Sequence, residues 1–206
     1  MIASEDWLFI HIPKTSGTNF QRRLLEENLA KDFHKAYNRH FTHQPLSWWE
    51  KRLLIKDRQI LAIVRNPYSR FLSLYNHISS SVNNLPEYKH ITIQDFEGFI
   101  RSNQFEKINN IIKAEVGEWL SELSFDIFWP QFKFIESDRR EVNVFKYETD
   151  LPKLEKLVDC NFTSTNYNQR EYDRNLINSY SQYTKSAVYS LYEEDFKRWQ
   201  YSDELF

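Results

Sequence analysis

Residues 7–30, WLFIHIPKTSGTNFQRRLLEENLA, run a strand, a loop and a helix together without a break. Trp7 to Ile12 is a short apolar stretch of aromatic and β-branched side chains ended by Pro13, the pattern of a buried strand. From Thr18 to Ala30 the apolar period changes, and Phe20, Leu24, Leu25 and Leu29 fall on one side of a helix. Between the two lies Pro13-Lys14-Thr15-Ser16-Gly17-Thr18-Asn19, at a helix N-terminus whose N–H groups lack intrahelical partners and whose dipole is positive. That is the outline of an anion site. Gly17 lets a ligand approach the backbone closely. Thr15, Ser16, Thr18 and Asn19 add small polar groups, and Lys14 adds a full charge. It is not the usual triphosphate loop, GxxxxGK[ST], whose lysine follows the glycines; here Lys14 precedes the only nearby glycine.

The same unit recurs downstream. Gln59 to Val64 (QILAIV) reads as a second buried strand, followed by Asn66 as helix N-cap and Pro67 at the first helical position. The helix continues through Phe71, Leu72, Leu74, Tyr75 and Ile78. Arg65 leaves the carboxyl end of that strand, where open α/β sheets bind ligands, and a guanidinium suits bidentate phosphate recognition. Ser73 lies about two turns along the helix. Taken singly, these residues also fit ordinary roles: a capped helix near a lysine, a surface ion pair for Arg65, a solvated position for Ser73.

Farther out, Thr92 to Leu123 looks mostly helical, Val142 to Tyr147 is a third strand, Leu151 to Val158 a short helix, and Asp173 to Arg198 a long one. In the long helix Leu176, Tyr180, Tyr183, Ala187, Leu191 and Tyr192 lie near helical spacing. Alternating strands and helices predict an α/β, three-layer, P-loop-like domain with a central parallel sheet flanked by helices. With 3 glycines and 6 prolines there is no linker-like stretch, so residues 1–206 read as one domain.

Composition narrows the function classes. A net charge of −2 argues against general nucleic-acid binding, so any charge for an anionic ligand must be local. The single cysteine, Cys160, excludes an internal disulfide framework and a Cys-rich metal site. No apolar run approaches the ~20 residues of a membrane span, and no signal-peptide pattern opens the chain. A cytoplasmic protein is expected, with a Golgi-type luminal domain lacking its anchor as the alternative. Aromatics at 17% read chiefly as core.

The two loops together resemble those of the sulfotransferases that use 3′-phosphoadenosine-5′-phosphosulfate (PAPS), most closely the carbohydrate branch that includes the heparan sulfate 2-O-sulfotransferases. HIPKTSGTNF is similar to that family's 5′-phosphosulfate loop, and IVRNPYSRFLSLY to its 3′-phosphate signature. Phe145-Lys146-Tyr147-Glu148, Asn168-Gln169-Arg170 with Tyr172, and Tyr189 to Trp199 resemble its later segments. The resemblance implies that Lys14 contacts the phosphosulfate and that Thr15, Ser16, Gly17, Thr18 and Asn19 cradle it. It implies that Arg65 and Ser73 hold the 3′-phosphate and that Arg170 covers the nucleotide. Tyr68 and Arg70 lie inside the signature without an assigned role.

The acceptor hydroxyl of such a reaction needs a base. Members of the family often carry a His in this region; His40 and His43, between the two loops, are the candidates, with His43 preferred because the Gln-Pro and helical run that follow it resemble the family pattern more closely. His11 reads as a packed residue of the first strand. The expected chemistry is in-line displacement with Lys14 and the loop amides stabilising the leaving phosphate, and no metal. The expected acceptor is a saccharide. Trp48-Trp49 and Trp129-Pro130-Gln131 fit either sugar stacking or core, and Arg22, Arg23, Arg101, Arg139 and Arg140 either an acidic sugar or plain surface. Two rivals remain: a kinase-like nucleotide enzyme on a related fold, and a non-catalytic module that binds the desulfated nucleotide (PAP).

Overall fold

The computed structural model describes residues 2–32, 43–51, 55, 57–84, 91, 95–114, 126–162 and 179–203. They fall into two compact units, one comprising Met1–Arg65, Leu123–Phe125 and Gln131–Arg170, the other Asn66–Glu122, Asp126–Pro130 and Glu171–Phe206.

The first unit carries the sheet. Its strands are β1 (Ile2–Ala3), β2 (Trp7–Ile10), β3 (Lys31–Asp32), β4 (Gln59–Val64) and β5 (Val142–Lys146), in the order β3-β1-β2-β4-β5. β2, β4 and β5 are parallel: Trp7 faces Gln59, Ile10 faces Ala62, Ile60 faces Val142 and Val64 faces Lys146. β1 pairs antiparallel with both β2 and β3, so the sheet is mixed rather than wholly parallel. A strand of two residues has no period to display, which is why β1 and β3 leave no trace in the sequence pattern.

The helices of the described residues are α1 (Gly17–Glu26), α2 (Leu46–Glu50), α3 (Pro67–Asn84), α4 (Phe96–Ser102), α5 (Phe105–Ala114), α6 (Phe132–Ile135), α7 (Leu151–Val158) and α8 (Gln182–Arg198). On one face of the sheet Phe9, Leu61 and Ile63 join Phe20 and Leu24 of α1, Leu154 and Val158 of α7, and Phe162 in a single core cluster. Phe20 is its hinge, with ring centroids 4.4 Å from Phe9 and 4.9 Å from Phe162. Fully burying a side chain of this size contributes about 1.5–3 kcal/mol. The opposite-face residues Leu8, Ile10, Ile60, Ala62 and Val64 are equally buried. Burial on both faces explains why β4 reads as an unbroken apolar run.

α1 stops earlier than its apolar spacing predicts. Asn28 takes a left-handed φ of 58°, and Leu29 N–H returns to the Leu24 carbonyl at 2.9 Å, closing the helix before Leu29, which is left exposed. Asn accepts that conformation more readily than most residues. After β5, Asp150 accepts from the Lys146 N–H at 3.0 Å and from Lys153 Nζ at 2.6 Å, tying the strand end to α7. The Lys153 bond, then the Lys146 N–H, holds its carboxyl below the usual range.

The second unit is helical and aromatic. Phe71 of α3 meets Phe96, Phe99, Phe105 and Tyr192 at 5.9–6.0 Å. α3 starts as expected: Asn66 Oδ1 accepts from the Tyr68 N–H at 3.0 Å, and Pro67 occupies the first turn. Of the segment 92–123 expected to be helical, α4 and α5 are seen, and residues 92–94 and 115–123 lie outside the described residues. The long terminal helix begins at Gln182, capped by Ser181, and kinks at Tyr192 (φ −126°). Its buried side is Thr184, Val188, Tyr192, Asp195 and Phe196, whereas Tyr183 and Leu191 are exposed. The expected apolar face is thus right at Tyr192 and wrong at Tyr183 and Leu191, and Thr184 and Asp195 are buried polar residues that a hydrophobic count passes over. Residues 173–178 lie outside the described region.

Candidate active site

The parallel register brings the carboxyl ends of β2, β4 and β5 to one edge of the sheet. Each end delivers a residue of interest: the 13–19 loop, Arg65 and Tyr147. This is where open α/β sheets bind ligands.

The loop after β2 is tightly wound. Lys14 (φ 67°) and Ser16 (φ 73°) both adopt left-handed conformations, which for non-glycine residues cost roughly 1–2 kcal/mol each. Turns of this sort gather successive N–H groups into anion-binding concavities. Ser16 is the N-cap of α1 without a side-chain cap bond, and the first turn contains no acidic residue, so nothing there offsets the positive end of the helix dipole. Among the loop side chains, Thr15 is buried and donates to the Ile12 carbonyl at 3.0 Å, and Asn19 Nδ2 donates to the Phe162 carbonyl at 2.9 Å. Those two side chains hold the loop and helix in shape. Lys14 and Ser16 are half-buried and Thr18 is exposed.

Arg65 stands at the end of β4, 6% exposed. Its Nη1 donates to the Lys14 carbonyl at 3.4 Å, and its guanidinium lies 4.7 Å from the Tyr147 ring centroid. The structure therefore ties the Arg65 guanidinium to the main chain of the 13–19 loop at Lys14. Two supports were not assigned from sequence. One is the Tyr147 ring, whose position at the C-terminal end of a parallel strand is a usable signal. The other is Gln131, which exchanges two hydrogen bonds with the Arg65 backbone: Arg65 N–H to Oε1 at 2.8 Å and Nε2 to the Arg65 carbonyl at 2.9 Å. No local pattern reveals that pairing across 66 positions.

The histidines are also organised. His43 Nδ1 sits 3.0 Å from the His11 carbonyl, and the two rings lie 4.3 Å apart at 59°. A carbonyl only accepts, so Nδ1 carries a proton toward it. The buried His11 ring lies against Gly17: a Cβ built there would fall 2.5 Å from His11 Nε2 and 2.9 Å from Cγ. Gly17 is required for the close approach of His11. His40 and Arg170 lie outside the described residues.

The remaining candidates sort by surroundings. Ser73 is half-buried on α3 of the second unit. Within that unit Tyr68 Oη donates to the Asp203 carbonyl at 3.0 Å, and Arg70 Nη2 donates to the Ile127 carbonyl at 3.0 Å with its guanidinium over Tyr192. Both residues are packing elements of α3. Trp48 and Trp49 are buried edge to face at 4.6 Å, so they belong to the core. Arg22, Arg23 and Arg101 pair with glutamates one turn away, and Arg140 lies 4.0 Å from Glu50. Among the described residues no cluster of three or more His, Cys, Asp or Glu is placed to hold a metal, and no helix is long and apolar enough to cross a membrane.

A mixed, largely parallel sheet with flanking helices defines an α/β protein. The chain belongs to the sulfotransferase family, whose model matches residues 3–202. It is thus a transferase of sulfonate groups to an acceptor, in general a hydroxyl. Comparison with curated proteins and with solved structures gave no significant match.

Proposed function

We propose that the protein transfers the sulfonate of PAPS to a hydroxyl of a carbohydrate, with residues 1–206 working as one sulfotransferase domain. The observation that carries this reading is the contact of Arg65 with the Lys14 carbonyl, which brings the Arg65 guanidinium to the loop that leads into the N-terminus of α1. A ligand anionic at two points, on its 5′ and 3′ sides, fits that set. The donor supplies a sulfonate on a phosphate able to leave. Lys14 and the loop N–H groups stabilise charge on the 5′ side, and Arg65, with Ser73 and Arg170, holds the 3′-phosphate. Such preorganised donors are worth about 3–4 kcal/mol each. His43, with its proton held on Nδ1 by the His11 carbonyl, takes the acceptor's proton at Nε2. No metal is assigned to the reaction. The saccharide acceptor rests on the likeness of the two loops to the carbohydrate branch. A cytoplasmic location goes with the reading, and Cys160 is a free, buried thiol; a Golgi-type lumen is the alternative.

Calorimetry with PAP and with ATP–Mg²⁺ separates this reading from a kinase: PAP binds and ATP binds far more weakly. Sulfotransfer from labelled PAPS to an array of sugars then separates it from a non-catalytic module. In that assay Lys14→Ala loses about 10²–10³ in kcat, and His43→Gln about 10²–10⁴ while still binding PAP. Full activity in Lys14→Ala overturns the donor assignment.

A further inference from the structure

β4 pairs with β5 only as far as Val64, opposite Lys146, and the Tyr147 N–H makes the last bond across, to the Val64 carbonyl at 2.7 Å. Arg65 is the next residue, and there the ladder ends. Its N–H and carbonyl are taken instead by the carboxamide of Gln131, at 2.8 and 2.9 Å. The amide acts as one residue of an added strand: an acceptor facing the N–H and a donor facing the carbonyl. Gln131 is 0% exposed, and its own position is set by the start of α6, where the Phe134 N–H donates to its carbonyl at 3.0 Å. Two bonds to one residue fix the peptide planes on both sides of it, and with them the direction of its Cα–Cβ bond. From that direction the guanidinium reaches both the Tyr147 ring and the Lys14 carbonyl.

We propose that Gln131 is the positioning residue for Arg65, and that its amide sets how strongly the protein prefers a nucleotide with a 3′-phosphate. The inference rests on the reading of Arg65 as the 3′-phosphate ligand. It extends that reading to a residue acting only through the backbone. Neither hydrogen bond survives a change to an apolar side chain, and a carboxylate in its place would face the Arg65 carbonyl with a second acceptor.

The test uses the full chain and two probes, PAP and adenosine 5′-phosphate, by calorimetry. Gln131→Met removes both bonds without burying a charge and nearly conserves volume, which keeps the variant folded. The unaltered protein prefers PAP. In Gln131→Met that preference falls about tenfold or more, with the 5′-phosphate probe bound as before. In an Arg65→Ala background the same change has no further effect on the PAP preference. A folded Gln131→Met protein that keeps its full preference overturns the inference and leaves Arg65 in place. A further loss of preference in the Arg65→Ala background also overturns it. Equal affinity of the unaltered protein for both probes overturns the Arg65 reading, and the inference with it. Should Gln131→Met not fold, Gln131→Leu, which also lacks both bonds, is measured by the same ratio, and an unchanged ratio there has the same meaning.

Discussion

Gly17 shows how much a single hydrogen atom in place of a methyl group can decide. Its Cα faces the buried His11 imidazole so closely that a Cβ would overlap it. His11 cannot step aside freely, because its ring stacks on His43 and its carbonyl holds the His43 Nδ1 proton. Gly17→Ala therefore strains three residues at once. Overpacking of this kind costs about 1–3 kcal/mol. The expected outcome is a lowered Tm together with a kcat loss that exceeds any loss of PAP affinity. A variant with wild-type Tm and kcat would mean that the contact is slack. The role of Gly17 toward His11 was not readable from the sequence, since residues 11 and 17 share no helical or strand period.

At the level of elements, the legible parts are those whose signals are local. β4 and α7 match their sequence-derived bounds, and α3 starts where Asn66-Pro67 says it should. Asn66 makes the cap a measurable object: its Oδ1 accepts from the N–H groups of Tyr68 and Ser69 at 3.0 and 3.4 Å. Asn66→Ala removes that acceptor at a cost of about 1 kcal/mol, or roughly 2–4 °C in Tm for a chain of this size. A denaturation curve superimposable on that of the unaltered protein would show α3 to be capped some other way. α8 is the opposite case. Its buried positions include Thr184 and Asp195, polar residues that no hydropathy period encodes, so its start and part of its face were misread. The two left-handed residues Lys14 and Ser16 were equally unreadable, because neither is a glycine or asparagine.

Across the whole molecule, the α/β class was plain from strand–loop–helix alternation, whereas the short antiparallel strands and the two compact units were not. Among the described residues many of the aromatics are core, a good part of them in the second unit. Three phenols there carry an alkaline prediction. Burial, and then the Asp203 carboxylate, pushes Tyr68 up to about 12; burial pushes Tyr192 up to about 12 against the opposing pull of Arg70; and burial raises Tyr180 further. Each ionises more easily in the unfolded chain, near 10, than in the folded one. Their contribution to stability is whole below pH 10 and is lost as pH rises through about 12. Spectroscopic titration should show late-ionising tyrosines appearing together with the loss of near-ultraviolet circular dichroism. Complete tyrosine ionisation near pH 10 in a still-folded protein would contradict this.

The register of β2, β4 and β5 has one more implication, for the chain as it is made. β4 lies between two parallel partners, but β5 begins only at Val142. Until that far segment leaves the ribosome, Gln59–Val64, an uncharged run of branched and apolar side chains, presents a bare hydrogen-bonding edge. During synthesis this hexapeptide is open to pairing with a neighbouring nascent chain until β5 covers it.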